Sequence, residues 1–246
     1  MSSFRRIFGF LLVGLAAFSP MSGQSSAARS ARDRQEEPEV RFVSFVLDDV
    51  QKNWDKMLPA QAGIPYRHAK LVLYRGSFPS ACGKARAATG PFYCPGDEKV
   101  YLDLEFFDEL KRRFGAPGEF ARAYVIAHEI GHHVQKLLGI EPRIRRLAEQ
   151  NPGEANELSV RLELQADCFA GIWANSTEQR NLLNGNDIAA ALRAAAAVGD
   201  DRLQKAAGRY VNPETFTHGS SEQRIQWFRR GLSMGRIGAC DTMPKN

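Results

Sequence analysis

His128-Glu129-Ile130-Gly131-His132 holds the residues best equipped for chemistry: two imidazoles four positions apart, with a carboxylate beside the first. Residues at that spacing share one face of a helix, so His128 and His132 can hold a single Zn2+ ion, and Glu129 can take a proton from a water bound to it. The pattern alone also fits two hydrogen-bonded histidines in a core. A tetrahedral catalytic zinc takes three protein ligands and leaves one position for water. Glu163-Leu164-Gln165-Ala166-Asp167 supplies a third donor. Its two carboxylates are again four positions apart, so one can bind zinc while the other accepts the second ring N–H of a ligating histidine. The apolar run Cys168 to Trp173 follows at once, which suits a buried face better than a solvated acidic one, since buried carboxylates require partners.

These residues need rigid carriers. Val125, Ile126, Ile130 and Val134 give the first motif an apolar side, predicting a helix from about Glu119 to Leu138 that ends at Gly139. The second set lies on a segment predicted helical from Glu154 to Trp173. Upstream, Phe42 to Leu58 carries a helical period that Pro59 is expected to stop. Lys70 to Tyr74 and Lys99 to Leu102 read as strands, expected to pair as a small antiparallel sheet. A helix capped by Asp103 is expected to reach Phe114. Glu141 to Glu149, an Ala-rich segment capped at Asn186-Asp187, Asp200 to Ala207, and Glu222 to Leu232 behind Ser220 or Ser221 complete the helices. The fold class is α+β, mostly α.

With 246 residues the chain has room for one sizeable core, expected over residues 41–246. The formal charge of +5 is dispersed, so nucleic-acid binding is not inferred. Arg5-Arg6, the apolar run Ile7 to Phe18 and the small residues Ser26-Ala27-Ala28 read as a signal peptide over residues 1–28, with an uncleaved membrane anchor as the alternative. Residues 29–40 are polar and mixed in charge and read as a disordered linker. The domain is therefore expected to be exported, periplasmic or secreted. Four cysteines in such a chain point to two disulfides, and three pairings are open. Cys82 with Cys94, closing a short Gly- and Pro-rich loop, is favoured, leaving Cys168 with Cys240.

His128 to Gln135, Glu163 to Gly171 and Thr217-His218-Gly219-Ser220-Ser221-Glu222-Gln223-Arg224 together resemble the bacterial putative neutral zinc metallopeptidase family. The resemblance runs from about Val46 to Asp241 and includes Ala81-Cys82-Gly83, Gly90 to Pro95 and Cys240-Asp241. The order of motifs is also similar to the wider gluzincin clan, which implies a zincin-like fold around the His-Glu-x-x-His helix. In that clan a late histidine faces the substrate carbonyl and a late arginine pairs with the acidic residue of the ligand helix. The resemblance thus implies Glu163 as the third ligand, Asp167 as the acceptor that orients a ligating histidine, expected to be His128, a pairing of Arg224 with Asp167, and a catalytic role for His218. Gly219 stands where those relatives commonly carry proline. The implied activity is zinc-dependent hydrolysis of peptide bonds in the cell envelope, with Glu129 as general base and a zinc-bound water as nucleophile, acting on a peptide or protein substrate. The alternatives are a zinc-binding interaction module of the envelope without proteolysis, and a zinc hydrolase of a non-protein amide. His68 and His133 receive no role; His133 faces about 100 degrees away from His132 on an ideal helix and reads as a core histidine or one that supports a ligand from behind, rather than a fourth ligand.

Overall fold

The computed structural model describes residues 26–86, 90–107 and 119–243. The chain separates into two compact units, Met1–Pro38 and Glu39–Asn246. Most of the expected leader lies outside the described residues, as does the greater part of the helix expected from Asp103 to Phe114. Among the described residues no helix is long and apolar enough to cross a membrane.

Helix α1 (Ser26–Ala62) covers residues 29–40, so that segment is helical rather than an irregular linker. Its alanines, arginines and glutamates are good helix formers, which a reading based on polarity alone passes over. The helix also runs through Pro59 to Ala62, where the chain turns at Gly63. Val43, Val46, Val50, Trp54 and Leu58 face the core from it.

Among the described residues five strands follow: β1 (Lys70–Tyr74), β2 (Ser77–Ser80), β3 (Gly83–Arg86), β4 (Phe92–Cys94) and β5 (Lys99–Asp103). β2 and β3 form an antiparallel ribbon; the other three form a sheet in the order β1-β5-β4. The expected antiparallel pairing of β1 with β5 is corrected here. They run parallel, Lys70 opposite Lys99 through Tyr74 opposite Asp103, and only β4 is antiparallel to β5. A parallel pair needs a crossover of a dozen residues or more, and the chain between Tyr74 and Lys99, which carries the ribbon and β4, is long enough to provide it. Cys82 and Cys94 are joined by a disulfide that ties the ribbon turn to β4.

The helical layer comprises α2 (Glu119–Leu137), α3 (Ile140–Gln150), α4 (Ala155–Gln179), α5 (Gly185–Ala197), α6 (Asp200–Ala206) and α7 (Ser221–Met234). α2 is buried along nearly its whole length and packs against α4 and α5. Gly139, left-handed at φ 72°, lets the chain reverse between α2 and α3. α5 is capped by Asn184, two residues before the expected position, through a reciprocal bond with Asp187. Ser220 and Gln223 cap α7 in the same way. α4 and α7 make the most extensive helix pair, and a second disulfide joins Cys168 on α4 to Cys240 after α7.

Candidate metal centre and cleft

α2 and α4 cross where Gly131 meets Ala166: a Cβ at Gly131 would lie 2.9 Å from the Ala166 carbonyl oxygen. This close approach brings the two acidic and histidine motifs face to face. One donor atom each from His128, His132 and Glu163 lie within 4.8 Å of one another. His128 Nε2 is 3.2 Å from Glu163 Oε2, and His132 Nε2 is 3.3 Å from Glu163 Oε1. Two donors each about 2.05 Å from a tetrahedral zinc stand about 3.3 Å apart, so the spacing suits that ion.

The opposite ring nitrogens decide which atoms face the group. His128 Nδ1 is 2.9 Å from Asp167 Oδ1, and His132 Nδ1 is 2.9 Å from Gln135 Oε1. Both acceptors call for a proton on Nδ1 and leave Nε2 with its lone pair toward Glu163. The residues present therefore fit a zinc ion through two imidazoles and one carboxylate.

Electrostatics agree. Burial works against charge on the His128 imidazole, yet the Asp167 charge and the hydrogen bonds to Asp167 and Glu163 prevail, and its pKa is pushed up to about 10. His132 is raised against the same burial cost by Glu163. Burial would raise Glu163, but the facing histidines hold it well below the usual carboxylate range. A pocket that draws protons onto two rings will also attract a dication to their shared side.

Asp167 is fully buried and pairs with Arg224, whose Nε and Nη2 lie 2.8 and 3.0 Å from its two oxygens. The Tyr124 hydroxyl also donates to Asp167 Oδ1. Neither oxygen of this buried carboxylate is left without a donor, as its burial requires. Tyr124 precedes His128 by four positions and Gln135 follows His132 by three, so both could have been found by helical spacing.

Glu129 is buried at 6 % exposure, takes no part in the three-atom group, and is raised by burial more than the nearby histidines lower it. The backbone amide of Tyr93 on β4 hydrogen-bonds its carboxylate. All four residues open onto a cleft of about 350 Å³, whose wall includes Phe92 and Tyr93 of β4. His218 and Arg224 line the same cleft.

Asp200 belongs to the site although no motif or spacing points to it. Its Oδ2 accepts the backbone N–H of Thr217, His218 and Gly219 at 2.7, 2.6 and 3.1 Å, and its Oδ1 lies 3.1 Å from His218 Nδ1. The loop is thereby fixed, with His218 Nε2 free of that contact. His133 does lie in the core: its Nδ1 meets the Tyr93 hydroxyl at 2.9 Å and its Nε2 accompanies the Arg67 carbonyl at 2.6 Å. His68 pairs with Asp55 at an exposed position.

A family model described as "Putative neutral zinc metallopeptidase" matches residues 5–243, reaching further upstream than the motifs do. The chain is 47 % identical over 240 residues to "Uncharacterized protein YpfJ" of Escherichia coli (strain K12), covering 97 % of this chain and 83 % of that protein. It is 41 % identical over 228 residues to "Uncharacterized protein Rv2575" of Mycobacterium tuberculosis (strain ATCC 25618 / H37Rv), covering 88 % of this chain and 74 % of that protein. No solved structure matches it. With the match spanning nearly the whole sequence, the chain belongs to the family described as putative neutral zinc metallopeptidases.

Proposed function

We propose that the protein is a zinc-dependent endopeptidase of the cell envelope, with His128, His132 and Glu163 holding the metal and Glu129 acting as general base. The observation that carries this reading is Glu129: a carboxylate beside the three donors, on the cleft, with no side-chain hydrogen bond among the described residues. A purely structural zinc site needs no such group. Bound zinc would supply a Lewis acid that polarises the scissile carbonyl and acidifies a water.

The chain's own residues do the rest. Glu129 takes the proton from water and returns one to the leaving amine, a role worth typically about 10² to 10⁴ in rate. His218, steadied by Asp200, presents a donor to the oxygen that gains negative charge. Arg224 holds Asp167, and Asp167 holds the His128 ring. β4 forms an edge of the sheet along the cleft wall, so an extended substrate can add to it as a further strand beside Glu129. Two disulfides suit an oxidising compartment outside the cytoplasm.

The test is zinc content and cleavage of a mixed peptide pool, with and without chelator, for the wild type and Glu129→Gln. Glu129→Gln is expected to keep one zinc and lose at least 100-fold in turnover, roughly the lower end for a general base. Near wild-type turnover by that variant, or a wild type that cleaves nothing when fully loaded with zinc, overturns the reading.

A further inference from the structure

We propose that Glu141 makes the cleft selective for a cationic group, an ammonium or guanidinium carried by the substrate near the scissile bond. The inference rests on the endopeptidase reading and adds a substrate class to it. Gly139 turns the chain back after α2, and the second residue of α3, Glu141, becomes part of the wall of the same cleft as His132 and Glu129. Its side chain is 16 % exposed. One oxygen, Oε1, accepts from Arg145 Nη2 at 2.5 Å; the other, Oε2, is buried and has no hydrogen-bond partner. Arg145 is 55 % exposed and does not line the cleft.

Burial makes an unpaired carboxylate oxygen costly, so the site gains when a donor is brought to it. The cleft's own cationic and imidazole groups are committed elsewhere. Arg224 is engaged by Asp167, His218 by Asp200, and His128 and His132 face Glu163. Of the three acidic residues described along the cleft, Glu163 faces the two histidines and Glu129 is reserved for proton transfer, which leaves Glu141 to take a new cation. Glu141 shares the cleft wall with Phe92 and Tyr93 of β4, where substrate would add as a strand. Along an added strand alternate side chains point to opposite faces, so one substrate position can turn toward α3 while its neighbours turn away.

The cation has two sources, a Lys or Arg side chain, or the free amino terminus of a short peptide. Peptides identical except at one position, carrying Lys, Arg, norleucine or Glu, each with a free or acetylated amino terminus, separate them. The zinc-loaded full chain is expected to favour Lys and Arg over norleucine by about 10-fold in kcat/KM, the scale of one charged hydrogen bond. Glu141→Gln should bring that ratio close to one, and Glu141→Lys should shift preference to the Glu peptide. If the preference instead follows the free amino terminus and is lost in Glu141→Gln, the same carboxylate reads that amine. Binding of the Lys and norleucine peptides to Glu129→Gln, with and without Glu141→Gln, reads the selectivity without any hydrolysis. A wild type with no preference for either Lys and Arg or the free amino terminus, or a preference unchanged by Glu141→Gln in both assays, overturns the proposal while leaving the endopeptidase reading standing. Failure of Glu129→Gln to impair cleavage strikes that reading instead.

Discussion

At the scale of single residues, Asp200 does the most with one side chain. It satisfies three consecutive backbone donors and one imidazole, so the orientation of His218 depends on it more than on the neighbours of His218 in sequence. The hydrogen bond to Asp200 raises the His218 pKa. Burial would raise Asp200, but its bonds from His218 and from the loop amides bring it below the ordinary carboxylate value. The signs follow from linkage. The histidine contributes stability that is complete below its unfolded pKa and lost as pH rises through its raised folded value. The carboxylate contributes above its unfolded pKa and loses that contribution as pH falls through its depressed folded value. The loop is thus held most firmly between about pH 4 and 6.5, the ordinary values of the two groups. Asp200→Asn is expected to keep the metal, to lower the His218 pKa toward about 6.5 in an NMR titration, and to reduce kcat about 10-fold or more through a misplaced donor. An unchanged His218 titration would remove Asp200 from the site. No spacing in the sequence leads to this residue, because the pairing of Asp200 with a loop seventeen to nineteen residues later is created by the packing of α6 against α7.

At the scale of elements, the site depends on how closely three helices approach. α4 and α7 touch through glycines: a Cβ at Gly231 would overlap the Cys168 carbonyl oxygen, and one at Gly171 would overlap the Phe228 carbonyl oxygen. This contact carries Arg224 to Asp167, which directly precedes Cys168 in a buried stretch of α4, so the separation of the two backbones sets the length of that ion pair. Gly231→Ala is expected to cost about 3 kcal/mol, at the upper end for overpacking because the obstacle is backbone. For a domain of this size that is a fall of about 6 to 12 °C in Tm. A melting curve within 2 °C of wild type, roughly the effect of less than 1 kcal/mol, would show that the helices part without penalty. The end of α2 and the start of α7 were legible because they are written locally, in Gly139 and Ser220, whereas Pro59 did not stop α1. The direction of β1 against β5 was not legible, since either direction serves the same apolar strands until the ribbon and β4 between them are placed. The helical character of residues 29–40 was likewise hidden behind their polarity. The three donors His128, His132 and Glu163 were legible for a different reason: helical spacing fixes each pair, and the metal chemistry that needs a third donor joins them.

At the scale of the whole molecule, the C-terminal segment is tied twice to the helices that carry His132 and Glu163. One tie is covalent, Cys168 to Cys240, with 72 positions between them in sequence. The other is a line of buried amides. Gln165 Nε2 donates to the Cys240 carbonyl at 2.9 Å, Gln135 Nε2 donates to Gln165 Oε1 at 3.1 Å, and Gln135 Oε1 faces His132 Nδ1 at 2.9 Å. The two ties have different consequences. Closing so long a loop restricts chiefly the unfolded chain, a contribution of about 4 kcal/mol in the chain-entropy account, whereas the amides orient one ligand in the folded state. Cys168→Ala with Cys240→Ala is therefore expected to lower the denaturation midpoint strongly, while the folded variant still binds one zinc within about 10-fold of the wild-type affinity, the lower bound for losing a ligand's orienting partner. Gln135→Leu is expected to do the reverse at the metal. It removes the acceptor that sets the His132 tautomer, and its zinc affinity should fall about 10 to 100-fold even with the disulfide intact. Zinc titrations and denaturant melts on both variants separate the effects. If the disulfide variant loses zinc as severely as Gln135→Leu while remaining folded, the covalent tie and not the amide line holds His132 in place.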